Sequence, residues 1–258
     1  MGVVNITPDS FSDGGRFFEP AAAIAHARTL AEEGADLIDL GAESSRPGAA
    51  PITADEELRR LLPVLRELHD LPLSVDTVKP EVMRVALAEG AAMINDINAL
   101  RAPGAVAAVA AADAAVCLMH MQGTPGTMQR DPHYGDVVAE VKAFLQERVA
   151  SICAAGIATE RVVIDPGFGF GKSLQHNLEL LRRLREFADL GVPLLAGWSR
   201  KSSLAKITGK PGGERLAPSI AAALIAAQNG AAIVRVHDVA ATRDALAVLA
   251  AVETTDRR

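Results

Sequence analysis

Aromatic residues are scarce in this chain, 3% of 258 residues with a single Trp and a single Tyr, which leaves little material for stacking nucleobases. A cationic field is missing as well. Acidic residues outnumber basic ones 32 to 26 and the net charge is -6, so nucleic acid is not an expected partner. No uncharged apolar stretch approaches the roughly 18 residues needed to span a bilayer. The opening Met1-Gly2-Val3-Val4-Asn5 has neither the basic segment nor the apolar run of a secretion signal, and the expectation is a cytoplasmic chain with no membrane partner. Cysteine is nearly absent: Cys117 and Cys153 lack a Cys-x-x-Cys neighbour and a His at ligand spacing, and both read as buried reduced thiols. What the chain does have is 49% hydrophobic residues, enough for one full core and too many for a disordered or collagen-like chain.

Strand-like apolar runs alternate with helix-period segments along the whole length, and no linker or charge block divides it. The runs are Val3–Ile6, Leu37–Leu40, Leu73–Val75, Met93–Ile94, Val116–Met119, Val162–Ile164, Leu194–Ala196 and Ile233–Val236. Eight βα units of about 32 residues each match the usual size of a (β/α)8 TIM barrel, and residues 1–258 read as one such α/β domain. A weak internal repeat supports this count. A Gly, a small residue and an apolar pair recur at Gly34-Ala35-Asp36-Leu37-Ile38, Gly90-Ala91-Ala92-Met93-Ile94 and Gly230-Ala231-Ala232-Ile233-Val234, as in short αβ turns with Gly at the helix C-cap. A doubly wound open sheet is the competing architecture. The helix-period stretches Leu181–Phe187 and Ser219–Asn229 carry apolar stripes for the core.

A polar residue at the end of a buried strand is costly unless it is paired or used. Here nearly every strand ends in one: Asn5, then Asp39 and Glu43, Asp76, Asn95 with Asp96, His120, Asp165, and Arg235 with His237, while Lys201 follows the seventh strand. A shared pocket at the carboxyl ends accounts for them together. Asp76, Asn95 and Asp165 offer acceptors to a flat heterocycle with N–H donors on its edge, and Lys201, Arg235 and His237 offer cations to an anionic end. Whether His237 is charged at neutral pH is open at this level. Long polar loops follow the first two strands, Thr7–Phe18 and Gly41 through Thr53, where barrel enzymes carry function.

Pro166-Gly167-Phe168-Gly169-Phe170-Gly171-Lys172-Ser173 mimics a phosphate-binding loop, but the first glycine of G-x-x-x-x-G-K-[ST] is replaced by Pro166. Its glycines read instead as a way to bend the backbone around the end of strand six and present Phe170 as an apolar wall.

These motifs together resemble the dihydropteroate synthases of bacterial folate biosynthesis, in order and over the full length. They are Gly2-Val3-Val4-Asn5-Ile6-Thr7-Pro8-Asp9-Ser10-Phe11-Ser12-Asp13-Gly14-Gly15, Gly41-Ala42-Glu43-Ser44-Ser45-Arg46-Pro47-Gly48, Ser74-Val75-Asp76-Thr77, Asn95-Asp96-Ile97, Asp165 to Lys172, Ser199-Arg200-Lys201-Ser202 and Arg235-Val236-His237-Asp238. The resemblance implies a (β/α)8 barrel that joins 6-hydroxymethyl-7,8-dihydropterin diphosphate to p-aminobenzoate and releases pyrophosphate. It further implies that Asp76, Asn95 and Asp165 hold the pterin, that Lys201 reaches its carbonyl side, and that Asn5, Arg235 and His237 hold the diphosphate with Mg2+. Phe11, Ser45, Arg46, Pro47, Phe170 and Ser202 would form the p-aminobenzoate pocket, open to sulfonamides as mimics. The acidic groups Asp76 and Asp13 would favour positive charge at the pterin methylene, and the two loops would close over the site. The family is typically dimeric. Members more often carry Thr where this chain has Ser45, which keeps the hydroxyl and loses a methyl contact. Two rivals stand beside this reading: a pterin-dependent methyltransferase-like barrel, which needs no diphosphate or arylamine subsite, and a catalytically silent pterin-binding homologue, whose mark would be damage to either long loop.

Overall fold

The computed structural model describes residues 1–7, 20–45, 48–209 and 215–255. The strands are β1 (Gly2–Asn5), β2 (Ile38–Gly41), β3 (Leu73–Asp76), β4 (Met93–Asp96), β5 (Ala115–Met119), β6 (Val162–Asp165), β7 (Leu195–Ala196) and β8 (Ile233–Val234). Around them run α1 (Pro20–Glu32), α2 (Ala54–Glu67), α3 (Pro80–Ala88), α4 (Ala105–Ala110), α5 (Val137–Ala154), α6 (Leu174–Arg182), α7 (Ser202–Thr208), α8 (Leu216–Gln228) and α9 (Val239–Thr255). All the strand pairings are parallel, β1 to β6 in sequence order and β7 with β8. Bridges between Gly2 and Val236 and between Ile164 and Leu194 join the two groups into a ring, which removes the open-sheet alternative and leaves no free edge.

The αβ turns explain the repeat. Gly34, Gly90 and Gly230 have φ of +93°, +93° and +95°, and the amide after each donates to the carbonyl five residues back: Ala35 to Leu30, Ala91 to Ala86, Ala231 to Ala226. A left-handed residue at the helix end closes the turn and sends the chain into the next strand. Helix starts follow local chemistry too. Thr53 Oγ1 accepts the Glu56 amide ahead of α2, Asp136 accepts the Val138 and Ala139 amides ahead of α5, and Ser173 with His176 caps α6 reciprocally. The stripe expected over Leu181–Phe187 is split. Helix α6 stops at Arg182 and a 3-10 segment covers Leu184–Leu190, yet Leu181, Leu184 and Phe187 are buried as a continuous helix would have buried them.

Alternation along each strand divides the core in two. Val4, Leu40, Val75, Ile94, Leu118 and Ile164 pack with the helices in the outer layer. Met1, Met93, Cys117, Val163 and Leu195 form a separate cluster with Leu37 and Ile233, the apolar floor of the barrel lumen. Above that floor the same parity places Asp39, Ser74, Asn95, Asp165 and Arg235 in the lumen. Cys117 meets the expectation of a buried thiol, and burial pushes its pKa up. Cys153 is corrected: it is only half-buried on α5, its sulfur 3.5 Å from the Thr159 hydroxyl.

Candidate active site

Strand alternation determines which polar residues meet at the mouth of the barrel. Asp39 lies in the middle of β2 and is fully buried. Its Oδ2 accepts from Arg235 Nε at 2.6 Å and from Asn95 Nδ2 at 3.1 Å. The same guanidinium donates from Nη2 to Asp76 Oδ2 at 3.4 Å. Burial opposes the charge on Arg235, but Asp39 and Asp76 outweigh it and hold its pKa above the ordinary value. Asp76 sits one layer higher at the end of β3. Burial and repulsion from Asp39 push its pKa up to about 7, against the pull of Arg235.

Asp165 ends β6 on the opposite side of the lumen. Its Oδ1 accepts the Gly167 amide at 2.7 Å, and burial raises its pKa although Lys201 and that amide pull it down. Lys201 donates to the Phe168 carbonyl and stands 4.6 Å above the Phe170 ring. Burial lowers its pKa to about 8, with Asp165 opposing. The glycine-rich turn after β6 permits this arrangement. Gly167 has φ +72°, and a Cβ there would lie 1.9 Å from the His120 carbonyl oxygen, a distance no side chain tolerates. Phe168 turns into the outer core and stacks on Trp198 at 5.0 Å and 7°, while Phe170 stays half-buried beneath Lys201.

His237 follows β8, its Nδ1 3.0 Å from the Ser199 hydroxyl. Burial, with Arg235 and Arg200 nearby, lowers its pKa to about 4, so the ring is neutral at pH 7 and the cations of the site are Arg235 and Lys201. Asn5 closes β1 half-buried. Ser45 is half-buried after β2, and Ser202 is exposed at the first position of α7. Phe11, Asp13, Arg46 and Pro47 lie outside the described residues.

Three strand-end residues expected at the shared pocket belong to the framework instead. Asp96 accepts the Asn98 and Leu100 amides at 2.7 and 2.8 Å and packs on the side of Ile94, outside the lumen. His120 faces a buried lysine, its Nδ1 2.9 Å from Lys172 Nζ. Glu43 ion-pairs with Lys79 at 2.6 Å, and Lys79 also holds the buried Glu57 at 2.6 Å; with the Ile52 amide on its other oxygen at 2.9 Å, Glu43 braces the second loop. Asp39, one of the strand-end residues, does face the lumen, as its even spacing from Leu37 requires; Lys79 follows no motif and has no signal in the sequence.

As a chemical surface, the mouth offers acceptors on Asp76, Asn95 and Asp165, an ammonium and a guanidinium, an uncharged imidazole and an aromatic wall. This suits a flat ring with N–H donors joined to an anionic group. Among the described residues no three His, Cys, Asp or Glu side chains cluster around a metal position.

The family described as pterin binding enzyme matches residues 1–237. Dihydropteroate synthase of Escherichia coli K12 is 50% identical, over 97% of this chain and 90% of that protein. Among solved structures, dihydropteroate synthase of Xanthomonas albilineans with 4-aminobenzoic acid superimposes with a TM-score of 0.91 at 57% identity, covering 98% of this chain and 92% of that one. The same organism's synthase in complex with 7,8-dihydropteroate gives a TM-score of 0.88 at 54% identity, covering 98% and 92%.

Proposed function

The chain belongs to the pterin-binding enzymes, and from that membership we propose a part in its reaction for each side chain at the barrel mouth. It is a transferase with the reaction of a dihydropteroate synthase. 6-Hydroxymethyl-7,8-dihydropterin diphosphate condenses with p-aminobenzoate to give 7,8-dihydropteroate and pyrophosphate. The observation that carries the assignment is the convergence of Asp76, Asn95 and Asp165 with Arg235 and Lys201 around one lumen.

Asp165 takes two N–H groups of the aminopyrimidine edge, since one of its oxygens is committed only to the Gly167 amide. Asn95 supplies a further acceptor. Lys201 leaves the Phe168 carbonyl to donate to the ring carbonyl, and the low-dielectric site strengthens that bond. Arg235, held in place by Asp39 and Asp76, faces the diphosphate. The bond between the methylene and the diphosphate oxygen breaks, its electron pair leaves with pyrophosphate, and the pterin delocalises the positive charge. Asp76 and Asp13 favour that cation, and Arg235 and His237 favour the departing anion. The neutral arylamine attacks and sheds its proton without a strong base, so His237 needs no such role. Phe11, Ser45, Arg46, Pro47, Phe170 and Ser202 surround the arylamine, where sulfonamides compete.

Mg2+ fits with Asn5 as its protein ligand. The amide oxygen is a hard donor, and the absence of a His, Cys, Asp and Glu cluster among the described residues suits an ion that keeps water and phosphate oxygens. When bound, it supplies charge neutralisation of the leaving group. We further propose a single domain over residues 1–258, a cytoplasmic location, since no described helix is long and apolar enough to cross a membrane, and a homodimer. Exposed Ile225 on α8 and Val248 and Val252 on α9 support the last.

Pyrophosphate release from the pterin diphosphate with Mg2+, with and without p-aminobenzoate, tests the reaction when coupled to mass spectrometry. Formation of 7,8-dihydropteroate is the expected result. Binding without condensation would overturn it in favour of the silent homologue.

A further inference from the structure

Asp39 touches no position where the reaction takes place, yet it is bonded to two residues that do. A single oxygen, Oδ2, receives both Arg235 Nε and Asn95 Nδ2. Oδ1 is buried with no hydrogen-bond partner. Strand register places Asp39 beside Val3 and Ser74, and the Ser74 hydroxyl is likewise buried and unpartnered. The carboxylate therefore has no stronger engagement than its two N–H donors.

The donor sense of this junction follows from elementary hydrogen bonding. A guanidinium Nε can only donate, so the oxygen it meets at 2.6 Å acts as an acceptor. Whatever Asn95 presents to that oxygen at 3.1 Å must then be its N–H2 group. The planar amide consequently turns its oxygen away from Asp39. No described group donates to that oxygen, which remains available to a ligand in the lumen. A primary amide alone is ambivalent, offering a donor or an acceptor according to which way it flips.

We infer that Asp39 is a positioning residue that locks the flip of the Asn95 amide and so makes the ring subsite select for heterocycles with an N–H donor edge over those with a carbonyl there. The inference rests on the reading of this lumen as the pterin subsite. The locking element is the acceptor oxygen, engaged by Arg235, rather than the negative charge as such. Selectivity of this kind is strong because the rejected ring would bury an acceptor against an acceptor.

Titration calorimetry with 6-hydroxymethylpterin and its analogue carrying a 2-oxo in place of the 2-amino group tests this. The wild-type protein should prefer the amino compound by about 100-fold or more. Asp39→Asn keeps an acceptor for Arg235 and Asn95 and should hold that ratio within about threefold, while the affinity added by the diphosphate falls. Asp39→Ala frees the amide, and the ratio should fall by about tenfold, the remainder being kept by Asp165 on the same amino group. An undiminished ratio in folded Asp39→Ala, or a lost ratio in the isosteric Asp39→Asn, overturns the inference; the second variant decides alone if the first does not fold. No preference in the wild-type protein would instead remove the pterin-subsite reading beneath it.

Discussion

Two barrel strands end in a buried carboxylate, β4 in Asp96 and β6 in Asp165, and their surroundings share little beyond burial. Asp96 follows Ile94 in parity and lies on the outer side of the ring, where both its oxygens are taken by amides of its own loop. Burial pushes its pKa up to about 6, and those amides resist. Asp165 follows Val163 into the lumen, gives one oxygen to the Gly167 amide and keeps the other for an incoming group. A buried carboxylate is thus structural when its lone pairs are spent locally, and functional when parity leaves one of them facing a cavity.

The sharpest way to break this contrast is to neutralise the lumen carboxylate. Asp165→Asn retains an acceptor for Gly167 and should fold normally, but pterin diphosphate affinity should fall about 100-fold, the loss of a charge-assisted pair. Calorimetric affinity equal to wild type would remove Asp165 from the site. The reciprocal change is Asp96→Ala. It orphans two amides and should cost about 2 kcal/mol, lowering the melting temperature by roughly 4–8 °C, while pterin affinity stays within about twofold. A drop in affinity without a drop in melting temperature would invert the comparison.

A subtler probe uses pH. The raised pKa of Asp76, about 7, means that the folded protein releases this proton less readily than the unfolded chain. Its contribution to stability is complete below about pH 4 and is lost as pH rises through 7. Asp76→Asn removes that slope but also the ion pair with Arg235, leaving a net gain of about 1 kcal/mol over wild type above pH 7 and none at pH 4. Melting temperatures of both proteins between pH 4 and 8 should diverge in that direction, and parallel curves would refute it. The smallest effect belongs to Ser45→Thr, which restores a methyl group: KM for p-aminobenzoate should move less than about threefold, as steady-state rates would reveal.

The architecture was legible because each strand is a short apolar run and each αβ turn reuses the same glycine; Gly34, Gly90 and Gly230 mark three of them. The site was legible where a distinctive residue sits in a distinctive motif, as with Asp165, Lys201 and Arg235. Asp96 shares the strand-end position of the lumen residues but not their parity, and the period of two from Ile94 and Asn95 distinguishes its side of the sheet. Glu43 and His120 were different. Their partners Lys79 and Lys172 are far along the chain, and no local pattern encodes a pairing that only the alignment of neighbouring strands brings about. The role of Asp39 was hidden for the same reason, since Arg235 reaches it across the seam between the first and last strands.

The stack of Phe168 on Trp198 has a use apart from packing. Trp198 is the single indole of the chain; it donates to the Ser203 hydroxyl at 2.5 Å, and its aromatic neighbour carries the carbonyl that Lys201 occupies. When a ligand draws Lys201 away, the electric field across that indole changes while every other part of the molecule is optically silent in the same emission band. The barrel therefore contains its own fluorophore, one bonded step from the ammonium that greets the substrate, and titrations can be followed by light without any label.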